Sequence, residues 1–379
     1  MKINVRNLFW NLLKYIGSAV VIMWLVFWYL SGSFWGLPRF GVTYYVATQK
    51  FMTPISKDVL FDGILKGMIA SLGEPHSGYL DQKDLNTMKE HTSGTYAGVG
   101  MVLGYGERGL EAVSVIEDQP AFKAGIKSGD YIVSINGEDT NGMKIEDAAA
   151  NIRGEAGTVV TIVVQRDSVV HTFTVTREEI TLPTVKSHML TKTVGYLRIS
   201  QFAEHTAEDF NTQYNQLRSE GMTSFVLDLR DNPGGLLNSA EEVANVIMPE
   251  GTLVSMTPRG SKTTTYTSNG ENTPIPMVVL INKGSASASE IIAGAIQDRK
   301  LGTIVGVNSY GKGTVQTIYP NLDGEGIKVT IAKYHTPNDR VIDGIGIKPD
   351  VEIDLPKGVS PSGTISDIQI QKALELLQE

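Results

Sequence analysis

The chain of 379 residues contains no cysteine. That absence excludes disulfides, thiolate metal sites and a cysteine nucleophile together. It suits an exported bacterial protein that folds without oxidation. Histidine is scarce, with six residues. His76, in "GEPHSGYL", reads as a turn or packing residue, since no second metal ligand lies at helical spacing from it. Neither a metal nor a cofactor is expected. Basic residues are also in deficit, 33 against 41 acidic, for a net charge of -8 and a pI near 5.4. That balance argues against a nucleic-acid partner. No long low-complexity tract occurs. With 41% hydrophobic and 20% charged residues the composition is that of a globular protein, and the length allows two or three units.

What is present begins at the N-terminus. Lys2, Arg6 and Lys14 precede an uncharged, mostly apolar run over 15–37. At about 1.5 Å per residue, such a run can cross a hydrocarbon core of about 30 Å. The basic flank places the N-terminus in the cytoplasm. Trp24, Phe27, Trp28, Phe34 and Trp35 leave no polar face, which disfavours a buried core helix. The run is long for a signal peptide, and no A-x-A site follows it. Residues 1–40 are expected to be a cytoplasmic stub and an uncleaved single-pass anchor in the cell membrane, with the rest of the chain outside.

Residues 41–91 read as a small helical region. "DVLFDGILKGMIASL" spaces Val59, Leu60, Ile64, Met68, Ile69 and Leu72 at near-helical intervals. Residues 92–180 are mostly strands, with β-branched runs bounded by Gly, Asp and Asn. One helical stretch, "KIEDAAANIRG", interrupts them. From 181 to 379, strands such as "SFVLDLR" and "MVVLIN" alternate with helices such as "LNSAEEVANVIM" and "SEIIAGAIQDR". That alternation predicts an α/β layer structure. Chemistry in open α/β sheets gathers at the C-terminal ends of strands. "LDLRDNPGG" and "LINKGSAS" both satisfy that rule.

"NKGSASASE" carries Ser285, Ser287 and Ser289 at alternate positions after a short apolar strand. Ser287 with Glu290 matches a capping box, so an N-cap role accounts for it. The same junction also exposes a nucleophile beside helix N–H groups that stabilise an oxyanion. The local sequence leaves both readings open. Farther along, "GKGTVQ" places Lys312, Thr314 and Gln316 on one side of a strand. Lysine is a poor base at its free pKa near 10.4, and burial makes its neutral amine available. A surface lysine in a turn is the other reading.

The segments "GTYAGVGMVL", "DQPAFKAGIKSGDYIVSINGEDT" and "NIRGEAGTVVTIVVQR" resemble a PDZ domain of the circularly permuted bacterial type. Followed by "LDLRDNPGG", "NKGSASASEIIAGAIQD" and "VNSYGKGTVQ", they make the chain over 41–379 similar to the carboxyl-terminal processing, or tail-specific, proteases. The resemblance implies a multidomain α/β protein: a transmembrane helix, a helical segment, a β-rich permuted PDZ domain and an α/β peptidase core. It implies a Ser–Lys dyad with Ser287 as nucleophile, Lys312 as general base and Gln316 as its orienting partner. Asp298 takes a supporting place. The oxyanion donors fall on the N–H groups of Ala288 and Gly235. In the PDZ domain, Ala97, Gly98, Val99, Gly100 and Met101 would offer backbone N–H groups to a peptide's C-terminal carboxylate, with Arg153 nearby. The implied partners are polypeptides with free C-termini. A homo-oligomer is left open. Three positions depart from the family pattern: Glu74 in place of aspartate, Pro233 in place of glycine, and Asp339 in place of glycine.

Three other functions compete. A histidine-dependent serine protease needs a triad, yet His76, His91, His171, His188, His205 and His335 lie in no motif of that class and "GNSGG" is absent. A catalytically silent, membrane-anchored PDZ scaffold would not need Ser287, Lys312 and Gln316 together. A small-molecule enzyme on a related α/β spiral fold has little use for a peptide-capturing PDZ domain, although fold analogy alone does not exclude it.

Overall fold

The computed structural model describes residues 5–270 and 273–378. The chain divides into two units, 1–79 and 80–379. In the first, helix Val5–Ser31 contains an apolar span, Leu13–Ser31, long enough to cross a membrane, none of it buried within the protein. The helix stops six residues before the apolar run does. Gly32 takes φ +63°, a left-handed conformation that ends a helix at low cost only for glycine. A second helix, Gly36–Gln49, folds back, and Trp24 Nε1 donates to Phe34 O at 2.9 Å. Ser56 then caps helix Lys57–Ala70 by accepting Val59 N–H. Most of the apolar stripe on that helix is exposed, and only Ile69 is buried. Glu74 closes the following turn, accepting His76 N–H at 3.1 Å and Ser77 Oγ–H at 2.7 Å. His76 is thus a turn residue.

The second unit opens with helix Gln82–Ser93 and a left-handed Gly94. Strands Met101–Gly106, Gly109–Val115, Tyr131–Ile135, Val159–Arg166 and Val169–Thr176 form an antiparallel sheet in that order. Their inward-facing residues, among them Leu110, Ile132, Ile135, Val160 and Ile162, bury one core with helix Ile145–Ile152, the alternation shifting by one at a bulge after Ile132. Strand Thr95–Gly98 pairs instead with Glu178–Thr181.

The remaining chain is built around a six-stranded sheet in the order 185–189, 194–199, 224–228, 277–281, 303–306, 351–352. All pairs are parallel except the first. Strands Ser224–Asp228 and Met277–Ile281 are buried at every position, which is why both read as continuous apolar runs. Helices Thr206–Ser219, Leu237–Ile247 and Ala288–Asp298 cover one face, and helix Ile368–Leu376 covers the other. Beside it an antiparallel sheet contains Gly251–Pro258, Thr264–Ser268, Thr314–Pro320 and Gly326–His335.

"LDLRDN" earns its charges at a strand end. Arg230 is fully buried. It donates to Asp228 Oδ1 at 2.9 Å, to Asp367 Oδ2 at 2.8 Å and to Gln369 Oε1 at 2.7 Å. Asp367 also caps the C-terminal helix. Tyr196 donates to Asp228 Oδ2 at 2.7 Å. Burial, and then the Asp228 charge, pushes that phenol's ionisation far above its usual range, so it remains a donor. The network ties the last helix to the strand that leads into the site. Replacing one partner strands buried charges, a loss of about 3–5 kcal/mol. Arg230→Leu is expected to lower the unfolding free energy by that much in urea, seen as a lower midpoint with the slope unchanged.

Candidate active site

Two strand ends meet here. The loop after Ser224–Asp228 runs through Asn232, Pro233, Gly234 and Gly235. The loop after Met277–Ile281 runs through the three serines into helix Ala288–Asp298. Asn232 joins them. Its carbonyl accepts Ala286 N–H at 3.0 Å and Ser289 Oγ–H at 3.0 Å, and its side chain donates to Ile199 O at 2.9 Å.

The serines separate cleanly. Ser285 is fully buried and donates to Leu229 O at 2.8 Å. Ser289 is fully buried and donates to Asn232 O. Ser287 is partly exposed and has φ 55°, ψ -115°. For a non-glycine residue that conformation costs about 1–3 kcal/mol and persists only where its neighbours over-determine it. Here both flanking serines are pinned to the neighbouring loop. The resulting sharp strand-to-helix turn presents Ser287 in the manner of a nucleophile elbow.

Glu290 is the residue whose importance sequence reading understated. It caps the helix as the box pattern predicts, since Oε2 accepts Ser287 N–H at 2.9 Å. It is also wholly buried and takes three donors from a segment twenty residues on. Ser309 Oγ donates to Oε1 at 2.6 Å, Gly311 N–H to Oε1 at 2.7 Å, and Lys312 N–H to Oε2 at 2.9 Å. One oxygen atom therefore holds the backbone nitrogens of Ser287 and Lys312. Tyr334 closes the arrangement, donating to Lys312 O at a point 3.4 Å from Ser287 O. Burial, followed by the Glu290 and Asp343 charges, holds its ionisation well above the ordinary phenol value.

Gln316 lies across the ladder from Thr330, beside a register shift after Val315. Its amide nitrogen donates to Thr314 Oγ1 at 2.9 Å and Thr330 Oγ1 at 3.2 Å. Both amide hydrogens are thereby used, and Oε1 remains as the acceptor. Asp298 stands at the other end of the helix that begins after Ser287. It accepts Asn338 N–H at 2.9 Å and pairs with Arg340, anchoring the turn after strand Gly326–His335. Asp339 in that turn has φ 60°, the left-handed geometry that glycine, and next Asn or Asp, adopts at least cost.

The oxyanion expectation turns on two glycines. Gly234 packs directly on the serine turn: a Cβ there would lie 2.8 Å from Ser287 Cβ and 2.9 Å from Ala288 N. Its N–H is committed, donating to Asn232 Oδ1 at 2.9 Å. Gly235 bridges Phe202 in parallel fashion, with Phe202 N–H on Gly234 O and Leu236 N–H on Phe202 O. Its own N–H faces away from that bridge. Among the described residues neither Gly235 N–H nor Ala288 N–H makes a hydrogen bond.

The peptide-binding expectation maps to a groove of about 430 Å³, lined in part by Gly98, Val99, Gly100, Met101, Ile145 and Arg153. Ala97 lies outside it, paired with Glu179 on strand Thr95–Gly98. Strand Met101–Gly106 is the end strand of its sheet, so its outer edge is open to an added strand. Arg153 follows helix Ile145–Ile152 and places its guanidinium 5.6 Å from the centre of the Tyr96 ring. Burial raises the Tyr96 ionisation, and the Arg153 charge partly offsets it.

Both parts of the chain match known proteins. Residues 193–353 match the model of peptidase family S41, and residues 111–166 match a PDZ domain model. The chain is 37% identical over 331 residues to the carboxy-terminal-processing protease of Bartonella bacilliformis, covering 84% of this chain and 75% of that protein. It is 36% identical over 323 residues to the carboxyl-terminal-processing protease of Synechocystis, covering 83% and 76%. Among solved structures it is similar to the photosystem II D1 C-terminal processing protease, with TM-score 0.51 and 29% identity over 88% of this chain and 89% of that one.

The shared carboxylate makes a specific prediction. Glu290→Gln keeps the size but offers one acceptor oxygen to four donors. Peptide hydrolysis should fall by about a hundredfold in kcat, because displacements of an ångström carry that cost, while the circular dichroism spectrum is retained. Ser285→Ala and Ser289→Ala should instead keep substantial activity and lose about 1–3 kcal/mol of stability each, measured by denaturant unfolding.

Proposed function

The chain belongs to the carboxyl-terminal processing proteases of peptidase family S41, a serine-type peptidase joined to a PDZ domain, and from that premise we propose that it hydrolyses peptide bonds with a Ser287–Lys312 dyad. Ser287 Oγ attacks the scissile carbonyl. The neutral amine of Lys312 takes the hydroxyl proton and returns it to the departing amine. Gln316 Oε1 accepts from the Lys312 amine and aims it. The N–H groups of Gly235 and Ala288 stabilise the tetrahedral oxyanion. Water activated by the same lysine then releases the acyl group from Ser287. The observation that carries this reading is the single Glu290 oxygen that holds both Ser287 and Lys312 by their backbones. The strained φ at Ser287 and the commitment of the other two serines support it.

Substrates are chosen, in this reading, by their tails. The groove between strand Met101–Gly106 and helix Ile145–Ile152 takes a free C-terminus, with its carboxylate on the backbone N–H groups near Gly98–Gly100. Capture raises the effective concentration of the chain at the dyad. Helix Val5–Ser31 holds the enzyme in the cell membrane with the peptidase outside the cytoplasm, which its apolar span and basic flank support.

Ser287→Ala and Lys312→Ala should each abolish hydrolysis, as expected of residues that act as one unit. Gln316→Ala should retain measurable turnover. Activity should fall toward acid pH, where the lysine is protonated, and chelators should have no effect. Hydrolysis at the wild-type rate by Lys312→Ala removes the dyad. Separately, a peptide with an amidated C-terminus should be cleaved far more slowly than its free-acid form. Equal rates contradict tail recognition and leave the dyad standing. Deleting residues 1–35 should move the protein from the membrane pellet to the soluble fraction.

A further inference from the structure

The six-stranded sheet ends at strand Val185–Met189, which among the described residues pairs only with Val194–Ile199. Ser200 N–H donates to Thr184 O, and Leu190 N–H to Val194 O. The antiparallel ladder therefore runs through the even-numbered residues of this strand. The backbone N–H and C=O groups of Ser187 and Met189 face outward. Side chains alternate as well. Val185 is buried in the core under helix Thr206–Ser219, so Lys186 and His188 take the opposite face.

On that face helix Ile368–Leu376 packs against Val194, Tyr196, Val226 and Val278. The end strand and the loop at 361–363 instead bound a cleft of about 530 Å³. Lys186, His188 and Arg198 line it, with Thr184, Ser200 and Ser362. In the register, Lys186 stands directly opposite Arg198. Like charges so placed repel. Among the described residues no carboxylate lines the cleft. Among the described residues no ion pair compensates either cation. Such an uncompensated cluster stands out in a chain with 41 acidic and 33 basic residues.

Val185 O accepts Gln213 Nε2 at 3.2 Å, and we propose that the rest of this edge, Ser187–Met189, is an exosite that holds an extended acidic segment of a polypeptide substrate as an added strand. Backbone hydrogen bonds to Ser187 and Met189 supply affinity without regard to sequence. Carboxylates on alternate residues of the added strand face Lys186, His188 and Arg198 and supply selection. The inference deepens the peptidase reading by naming a second feature of the substrate, distinct from its C-terminus. Binding at this edge requires no chemistry at Ser287.

The test is binding of a fluorescent peptide of alternating Glu and Thr, acetylated and amidated so that it offers no free carboxy terminus to the PDZ groove. The full-length chain carries Ser287→Ala, so a failure of the proposed dyad leaves the readout unaffected. Anisotropy should show saturable binding that weakens by roughly tenfold or more in Lys186→Glu/Arg198→Glu and in the milder Lys186→Gln/Arg198→Gln. Lys127→Glu, which changes the charge by as much as the milder pair but at an exposed residue of the PDZ domain, should leave binding unchanged. The matching Gln–Thr peptide should bind far more weakly. Equal binding of the Glu and Gln peptides overturns the proposal, as does indifference to both double variants. Binding of inorganic phosphate to the cleft with no binding of the Glu peptide also overturns it, and marks a small-anion site.

Discussion

The carboxylate of Glu290 is the constraint on which the rest of the site depends. It sits inside the protein at the start of a helix and accepts four hydrogen bonds from two separate segments. An acceptor of this kind, buried with every donor in place, has one low-energy arrangement, and losing a donor is costly. The turn at Ser287 and the entry to strand Thr314–Pro320 are fixed relative to each other through one side chain. Tyr334 adds a second tie between the same segments. Asp298, at the far end of the helix, anchors the turn that follows the strand bearing Tyr334. The backbone of the site is thus held from both ends of helix Ala288–Asp298.

Much of this was legible in the sequence. Buried parallel strands read as apolar runs, and their alternation with amphipathic helices gave the α/β class. The serine trio and the glycine-flanked lysine marked the strand ends where the structure brings them together. Spacing alone did not choose among the serines; the family resemblance put the nucleophile on Ser287. Three hydroxyls at a spacing of two look alike, and only the carbonyls of Leu229 and Asn232 tell them apart. Glu290 read as a helix cap because the box pattern sees three residues, whereas three of its four partners lie on 309–312. The preference between Gly234 and Gly235 depends on Asn232 Oδ1, which occupies one N–H and leaves the other.

At the N-terminus the helix is shorter than the apolar run. Hydropathy continues to residue 37, but Gly32 turns the chain and the helix ends at Ser31. A conformational switch at one glycine does not register on a hydropathy scale. The likeness to carboxyl-terminal processing proteases and the buried polar geometry point to an enzyme that meets its substrate as extended chain. Both the PDZ sheet and the peptidase sheet end in a strand with an open edge, and each offers backbone groups before it offers side chains. Under the proposed function, selection would rest on what borders each edge: glycine N–H groups in one case, uncompensated cations in the other.

The central claim is that Ser287 is a nucleophile activated by Lys312. Labelling with a fluorophosphonate, followed by mass spectrometry of the peptide spanning 285–289, tests it directly. A single adduct on Ser287 is expected in the native chain, with little or none in Lys312→Ala at the same exposure. An adduct on Ser285 or Ser289, or equal labelling of Ser287 without the lysine, would contradict it.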